Sequence, residues 1–383
     1  MASIRKRRLP SGEIRWQLDY KDLAGARRAK QFKTKGEAVA FETKVRADIA
    51  AGTHVADGAA ITVREAADLW LQRARTEGLE ASTLKQYGEH IDLHINPLLG
   101  DTKLSRLTKP AVEAFRDQLL VKRSRALARK VLTSLKGVLN EAQRRGLVNQ
   151  NVAAGAKVSA SKRHKEEIEV PSKDELRAIV NAAGELWPAA RGLPWRAFVI
   201  VALFSGMRLS ELRGLSWDSV SLTEGCITIR QRADFRGSLG APKSKAGKRD
   251  VPLAPMALNA LKTWRLACPH TEGNLVFPNS AGEIPSSSSI YKTVWFPLLR
   301  AIGLMDHRKS ASGNQIEAPR YIFHCLRHSA ASLFIEQGWT PEKVMTVMGH
   351  SSIQMTFDLY GHLWKTLEDD AKAMAQIEAR LLG

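Results

Sequence analysis

The sequence predicts a multidomain, mainly α-helical protein with small β elements, and three observations support this fold class. The chain has 383 residues, more than a single domain of roughly 100–200 residues needs. Its hydrophobic periodicity changes from alternation to helical spacing near residue 62. Two stretches without periodicity, about 53–61 and about 155–170, indicate linkers. We therefore expect three domains, over residues 1–55, 62–150 and 170–383.

The charge balance indicates a polyanionic partner. Lys and Arg total 58 against 39 acidic residues, a formal net charge of +19, and such a field attracts nucleic acid. An anionic membrane surface is the competing partner, but no apolar run is long enough to span a bilayer and the polar N-terminus does not resemble a secretory signal. The three cysteines form no close pair, which argues against a disulfide framework or a CxxC zinc site. We expect a protein of the reducing cytoplasm.

Residues 1–35 form a strongly basic segment, with eleven Lys and Arg against three acidic residues. Turn-forming residues separate short stretches in which Ile14, Trp16 and Leu18 alternate with polar neighbours, and this alternation predicts strands. A helical pattern begins near Gly36. Its expected apolar face consists of Ala40, Phe41 and Val45. A small basic sheet with one helix can present its side chains to DNA; a flexible basic arm is the alternative.

A compact four-helix domain is predicted over residues 62–150. Thr62 and Glu65 form a capping box at the start of its first helix. The second helix is expected to stop at Pro97 and the fourth to end at Gly146. The outward basic residues are Lys122, Arg123, Arg125, Arg129, Lys130, Lys136, Arg144 and Arg145. Beside the net charge, this face is a candidate DNA surface, and an ordinary solvated face is the alternative.

The region from residue 170 onward predicts an α+β domain. Ser172 begins its first helix through a second capping box, and the apolar run 197–204 predicts a buried helix. Short strands near 225–230 and 249–253 flank a loop rich in Gly and Lys. The remainder, from about residue 289, is expected to be mainly helical.

Two basic groupings in this domain are candidate parts of an active site. Arg208 lies where the buried helix ends and a new helix begins, and Glu211 shares its face and can orient the guanidinium group. A surface ion pair is the alternative. The segment 242–253 is predicted to be a lysine-rich hairpin tip that enters a strand, and from this tip an ammonium group can protonate a leaving oxygen. A solvated basic loop is the alternative there.

Two further groupings contain histidine. His324 and Arg327 share a face at a helix start, so that Arg327 can bind a phosphate bidentately and His324 can exchange protons near neutral pH. A zinc site at His324 and His328, or at His90 and His94, would need a third ligand that cannot be identified in the sequence. His350 follows a predicted helix end, and a short helix then delivers Tyr360. A lone tyrosine is more often a packing residue.

Together, and in the expected order over about residues 200–362, these groupings resemble the tyrosine recombinases, phage integrases in particular. The resemblance implies an α+β catalytic domain, a helical core-binding domain of the SAM-like type over 62–150 and, less specifically, an arm-type DNA-binding domain over 1–55. The catalytic residues that it implies are Arg208, Lys243, His324, Arg327, His350 and Tyr360. Lys245 is the alternative catalytic lysine, because this loop varies in length.

The resemblance also implies a reaction. Arg208 and Arg327 would stabilise the charge on a phosphodiester, and Tyr360 would form a 3′-phosphotyrosyl link. His324 would help Tyr360 lose its proton, His350 would hydrogen-bond the phosphate, and the lysine would protonate the departing 5′ oxygen. No ATP, metal or other cofactor is needed in this scheme. We expect integration and excision of a mobile element such as a prophage or genomic island, in the cytoplasm at the nucleoid.

The implied partners are double-stranded DNA at core and arm-type sites, further copies in a homo-tetramer on DNA, a host DNA-bending protein and an excision factor. A helical tail from about residue 365 onward is expected to dock on a neighbouring copy. Other functions stay open at this point: chromosome-dimer resolution or inversion, nicking of the type IB topoisomerase kind, and DNA-binding regulation without catalysis. The extra N-terminal domain favours integration.

Overall fold

The computed structural model describes residues 2–22, 25–50, 60–159, 169–309, 313–364, 374 and 378–380. Internal packing divides the chain into two units, Met1–Arg163 and His164–Gly383. Helices dominate both units and the sheets are small, which confirms the predicted fold class. The predicted linkers and the tail after residue 365 lie largely outside the described residues, and the three-domain division stays a prediction. Within the described part of the chain, no helix is long and apolar enough to cross a membrane.

The first unit begins with an antiparallel sheet and one helix. Its elements are β1 (Ser3–Arg8), β2 (Ile14–Lys21), β3 (Arg27–Phe32) and α1 (Lys35–Ala50). The strands pair in chain order, and Leu18 of the sheet packs with Val45 of the helix. The buried face of α1 carries Ala38, whereas Ala40 is exposed. The prediction that Ala40 lies on the apolar face is wrong. Val45 is on the buried face, and Ala38 lies on the same face because nearly two full helical turns separate the two residues. Ala40 lies about 140° around the helix from Val45 and therefore faces away.

Helices with a common apolar core complete the described part of this unit. They are α2 (Val63–Thr76), α3 (Ala81–His90), α4 (Asn96–Leu99), α5 (Lys109–Lys122) and α6 (Arg125–Arg144). The predicted capping box of Thr62 and Glu65 is present at the start of α2. On α6, residues at helical spacing, Val131, Leu135 and Val138 among them, are fully buried.

Pro97 does not end the second helix of this bundle. A π turn over Ile91–Ile95 joins α3 to α4, and the Asn96 N–H donates to the Ile91 carbonyl five residues back. The wider turn carries the chain past a residue that lacks an N–H and whose ring would crowd an ordinary α turn. The prediction of a stop at Pro97 is therefore wrong, because a change in local helix type absorbs the proline.

The second unit contains a larger set of helices and short strands. The helices are α7 (Lys173–Leu186), α8 (Trp195–Ser205), α9 (Leu209–Arg213), α10 (Pro255–Ala267), α11 (Ser287–Ile290), α12 (Phe296–Ala301), α13 (Cys325–Glu336), α14 (Pro341–Met348) and α15 (Ile353–Tyr360). The strands are β4 (Val220–Ser221), β5 (Cys226–Ile229), β6 (Arg232–Ala233), β7 (Leu239–Gly240), β8 (Arg249–Pro252), β9 (Met305–Lys309) and β10 (Gln315–Pro319).

The apolar helix α8 lies at the centre of this unit, as its sequence predicts. It packs against α7, α10 and α13, and its residues from Ala197 to Leu203 are buried. The strands β4, β5 and β8 form one antiparallel sheet, and β6 and β7 form a hairpin between β5 and β8. This arrangement places the ends of α8, β8 and α13 where they hold the candidate site.

Helices dominate the described residues from about 289 onward, as predicted, but a hairpin of β9 and β10 interrupts them. The two strands pair antiparallel, with Met305 opposite Pro319 and Glu317 opposite His307. Most of the hairpin is exposed, so its residues lack the alternation of apolar and polar side chains that marks a half-buried strand. The sequence therefore offered no period from which to predict it.

Candidate active site

The first candidate arginine is held by the junction between α8 and α9. Gly206 ends α8 in the left-handed conformation, at φ 62°, and a Cβ at this position would lie 2.7 Å from the Met348 sulfur. Arg208 caps α9 and donates from Nη1 to Glu211 Oε1 (2.9 Å) and from Nη2 to the Gly349 carbonyl (2.8 Å). The predicted orientation of Arg208 by Glu211 is confirmed, and Glu211 is 2% exposed, so this is not a surface ion pair.

The second candidate arginine, Arg327, is buried on the first turn of α13. Its guanidinium donates to the Gly206 carbonyl (2.5 Å) and to the Met348 carbonyl. Burial, with a smaller contribution from the charge of Arg208, lowers the pKa of Arg327 to about 9. Arg327 thus bonds the turns that end α8 and α14, and it shares the second of these turns with Arg208.

The candidate histidines are both buried enough to favour the neutral form. His324 caps α13, and burial together with His328 and Arg327 lowers its pKa to about 4. His350 follows α14, and burial and the nearby arginines lower its pKa to about 3. His350 Nδ1 lies 2.9 Å from the Thr356 hydroxyl. In the protein without DNA, these values favour neutral imidazoles at pH 7 and run against the expected protonation of His324 near neutrality.

Tyr360, at the end of α15, is 2% exposed. Its hydroxyl lies 2.6 Å from His328 Nδ1, and its ring is parallel to that of His350 at a centroid distance of 6.3 Å. Burial raises the pKa of Tyr360 to about 12, against an opposing effect of Arg327. The expectation named His324 as the group that helps Tyr360 lose its proton, whereas the imidazole at hydrogen-bond distance is that of His328.

Lys243 lies on an exposed stretch between β7 and β8. The loop itself approaches the cluster: a Cβ at Gly349 would lie 3.0 Å from the carbonyl oxygen of Ala246. Lys245, the alternative lysine, is also exposed and begins the short turn Lys245–Gly247. The structure therefore brings Arg208, His324, Arg327, His350 and Tyr360 together, and both candidate lysines lie on the loop that approaches them.

Two charged or titratable residues of the cluster were missed as functional candidates. The sequence pattern predicts only a strand position for Arg249, yet this residue is buried and paired with Glu211. The alternation in β8, where Arg249 and Val251 are buried and their neighbours exposed, was the signal that it points inward. The sequence suggests only a zinc-ligand role for His328; in the described residues, no group of three His, Cys, Asp or Glu side chains is placed to hold a metal ion.

The chemistry open to this cluster is that of an anion site. Arg208 and Arg249 both donate to the Glu211 carboxylate, which also acts electrostatically on Arg327. Among the described residues of the cluster, three guanidinium groups thus face one carboxylate, and the cluster keeps excess positive charge. Neutral imidazoles and a tyrosine hydroxyl lie beside it. Such a site can stabilise a phosphodiester whose charge grows in a transition state, with an oxygen nucleophile at hand.

Family models match both units of the chain. Residues 170–366 match the phage integrase family, and residues 62–120 match the N-terminal SAM-like domain of phage integrases. The chain belongs to the phage integrase family. Membership confirms the predicted activity class, site-specific breakage and rejoining of DNA by a tyrosine-type recombinase.

Individual relatives agree with this assignment. The prophage integrase IntR of Escherichia coli strain K12 is 24% identical over 84% of this chain and 80% of its own length. An integrase of Streptomyces ambofaciens is 26% identical over 79% of this chain and 78% of its own. The recombinase thus resembles integrases along most of its length, including the part that precedes the catalytic unit.

Solved structures show the same fold. The integrase of transposon Tn1549, in complex with a circular intermediate DNA, superposes with a TM-score of 0.66 at 16% identity, over 83% of this chain and 99% of that one. A lambda integrase tetramer bound to a Holliday junction gives a TM-score of 0.58 at 19% identity, over 94% of both chains.

Proposed function

We propose that this recombinase integrates and excises a mobile element, such as a prophage or genomic island, with Tyr360 as its nucleophile. One observation carries the assignment to this site. Arg208 and Arg327 both donate to carbonyls of the turn that ends α14, Arg208 to Gly349 and Arg327 to Met348, and His350 and Tyr360 lie beside this turn with their rings parallel. Two cations, a hydrogen-bonding imidazole and a nucleophile are therefore gathered at one place.

In the proposed reaction, Arg208 and Arg327 bind the non-bridging oxygens of the scissile phosphodiester. A guanidinium has five N–H donors, so the bonds of Arg327 to two carbonyls leave others for a phosphate. Fixed donors of this kind stabilise the charge that builds in the transition state without having to reorganise. The attachment of both arginines to backbone carbonyls supports such a fixed geometry.

The remaining residues handle hydrogen bonds and protons. His350, with Nδ1 engaged by Thr356, would offer Nε2 to the phosphate, and His324 would lie behind the tyrosine site. Lys243 would protonate the departing 5′ oxygen; Lys245 is the alternative. Attack by Tyr360 conserves the energy of the phosphodiester in a 3′-phosphotyrosyl bond, so rejoining to another strand needs no ATP.

The proposed partner is double-stranded DNA, contacted at core sites by the helical domain (62–150) and the catalytic domain (170–383), and at arm-type sites by residues 1–55. The net charge of +19 supports this. The lambda integrase tetramer on a Holliday junction supports a homo-tetramer on DNA, because two duplexes and two exchanges require four protomers. We add a host DNA-bending protein and an excision factor as partners, and the bacterial nucleoid as the place of action.

The test is covalent capture. The full chain is incubated with nicked duplexes carrying candidate core sites from the DNA that flanks its gene, and protein attached to DNA is counted after denaturation in SDS. We expect a covalent complex with the wild type and with Tyr87→Phe, and none with Tyr360→Phe. DNA binding without any covalent complex would instead indicate a DNA-binding role without catalysis.

The lysine is tested with the same assay on DNA in which sulfur replaces the scissile 5′ oxygen. A thiolate leaves without being protonated, so this substrate does not need a general acid. We expect the sulfur to restore cleavage by Lys243→Ala to near the wild-type rate. Restoration of Lys245→Ala instead, with Lys243→Ala fully active on ordinary DNA, would transfer the role to Lys245.

A further inference from the structure

A hydrogen bond between two helices joins the candidate nucleophile to a histidine that the proposed reaction does not use. Tyr360 ends α15, His328 lies on α13, and the tyrosine hydroxyl is 2.6 Å from His328 Nδ1. The rings lie 5.8 Å apart at an interplanar angle of 57°. Behind His328, the ring of His324 packs edge-on at 4.8 Å. A proton on the tyrosine hydroxyl therefore has His328 as its direct acceptor and His324 one ring further away.

We propose that His328 is a catalytic residue that takes the proton of Tyr360 during strand cleavage and returns it during rejoining. The inference rests on the proposed function, in which Tyr360 attacks DNA. It replaces the direct role expected of His324 and leaves His324 next to His328 as the neighbouring imidazole.

The proton balance of the step closes within the site. As the Tyr360 oxygen forms its bond to phosphorus, its proton passes to His328 Nδ1, which requires that the neutral imidazole carry its own proton on Nε2. The bond from phosphorus to the 5′ oxygen breaks, and that oxygen takes a proton from the lysine. On rejoining, the 5′ hydroxyl attacks and returns its proton to the neutral lysine amine, the tyrosine oxygen leaves, and the imidazolium of His328 returns its proton to that oxygen. No external oxidant, metal or co-reactant enters.

The surroundings of His328 fit an acceptor that becomes charged only when DNA is bound. The titratable and charged groups that face it are Tyr360 from α15, His350 from the turn after α14, and Arg327 and His324 from its own helix. Burial and the charge of Arg327 lower the pKa of His328, so the free protein keeps the proton on the tyrosine. A phosphate bound by the arginines brings negative charge that offsets Arg327 and favours the imidazolium.

The first test compares His328→Asn with the matched exposed control His270→Asn in the covalent capture assay. The side-chain oxygen of Asn can occupy the place of Nδ1 and accept the tyrosine hydrogen bond, but it cannot take the proton near neutral pH. We expect His328→Asn to bind DNA normally and to form the covalent complex about 100-fold more slowly, since general acid–base catalysis contributes about 10²–10⁴-fold. The wild-type rate should fall below the pKa of His328, and this acid limb should be absent in His328→Asn.

The second test separates proton transfer from a purely structural contact. His328→Ala removes the ring, and imidazole or methylimidazoles added to the buffer should restore covalent capture, with a rate that depends on the pKa of the added base. The inference would be overturned if His328→Asn were as fast as the wild type, or if no added base rescued His328→Ala. The proposed function would survive either result as long as covalent capture by the wild type depended on Tyr360. If the wild type formed no covalent complex at all, both the inference and the proposed function would be contradicted.

Discussion

Glu211 and Arg249 form a two-point ion pair in the interior of the second unit. Arg249 Nη2 lies 2.9 Å from Glu211 Oε2 and Nη1 lies 3.1 Å from Oε1, and both side chains are 2% exposed. The same guanidinium donates to the Val347 carbonyl (2.5 Å) and the Gly247 carbonyl (3.0 Å). Because Glu211 also accepts from Arg208, one pair ties a candidate catalytic arginine to the lysine loop and to the end of α14.

Removing the charge of Glu211 should destabilise the second unit. Glu211→Gln leaves Arg249 charged in the interior without its counter-ion, a change that typically costs about 3–5 kcal/mol. The matched control is Glu336→Gln, which breaks an exposed pair with Lys173 of the kind worth about 0–1 kcal/mol. Guanidinium chloride unfolding followed by tryptophan fluorescence measures both. Equal losses in the two variants would mean that the buried pair contributes little more than a surface one.

The same pair predicts a dependence of stability on pH. Burial by itself would raise the pKa of Glu211, but the hydrogen bonds and charges of Arg249 and Arg208 hold the pKa below its usual value. A carboxylate with a depressed folded-state pKa stabilises fully above its unfolded pKa of about 4.3 and loses this contribution as the pH falls through the lower folded value. The stability difference between wild type and Glu211→Gln should be constant from about pH 6 to 8 and shrink below about pH 4.

Gly349 should not tolerate a side chain, for a reason beyond its backbone conformation. It ends α14 at φ 64°, and a Cβ there would lie 2.8 Å from Arg249 Nη1 and 2.9 Å from its Cζ. Gly303→Ala is the matched control, since Gly303 has φ 70° and nothing within 4 Å of its Cβ position. We expect Gly303→Ala to lose about 1 kcal/mol, the usual cost of a left-handed alanine, with full covalent capture. Gly349→Ala should lose more stability than this and most of its covalent capture of DNA. If the two variants behaved alike, the side chain of Arg249 would be able to move aside without a loss of stability or activity.

Local patterns predicted the elements that carry the site better than the contacts that build it. The ends of α8 and α14 followed from Gly206 and Gly349, because a left-handed glycine is a common helix stop. The pairing of Arg208 with Glu211 followed from their spacing of three residues. The partner of Glu211 from 38 residues away, Arg249, could not be predicted in this way, because the register between distant elements is fixed by tertiary packing.

The hydrogen bond of Tyr360 illustrates the same limit. The sequence shows that His324 and His328 both lie near the start of α13. Which of the two imidazoles contacts the Tyr360 hydroxyl depends on how α15 packs against that helix. Thr356 was likewise invisible as a partner of His350, since it is one of several polar residues on α15 and its burial depends on that packing. Exposed elements such as the hairpin of β9 and β10 escaped prediction for the opposite reason, because they have no buried face.

The hydrogen bond between Thr356 and His350 should affect catalysis more than stability. Thr356→Val keeps the shape of the side chain, removes the oxygen 2.9 Å from His350 Nδ1 and leaves the imidazole free to change tautomer and orientation. Loss of a partner that orients a functional group of this kind costs about 10–100-fold in activity at metal sites, and we expect a similar loss in the rate of covalent capture. Thr263→Val, at an exposed position of α10, is the control. An unchanged rate in Thr356→Val would show that the backbone alone orients His350.

Binding of DNA should depend steeply on salt, and the outward face of α6 should contribute to the slope. Each phosphate neutralised by Lys or Arg contributes about −0.9 to the slope of log K against log salt concentration. Arg129 and Lys130 are exposed on α6, so Arg129→Gln combined with Lys130→Gln should reduce the magnitude of the slope by about 2 and weaken binding to all sequences alike. The measurement is a fluorescence anisotropy titration on flanking-DNA duplexes at several salt concentrations.

The control is Lys262→Gln combined with Arg265→Gln on α10, where Arg265 packs over the ring of Trp217. If the α6 variant kept the wild-type slope and the α10 variant lost it, the DNA footprint would lie on the second unit and the basic face of the helical domain would be ordinary solvated surface.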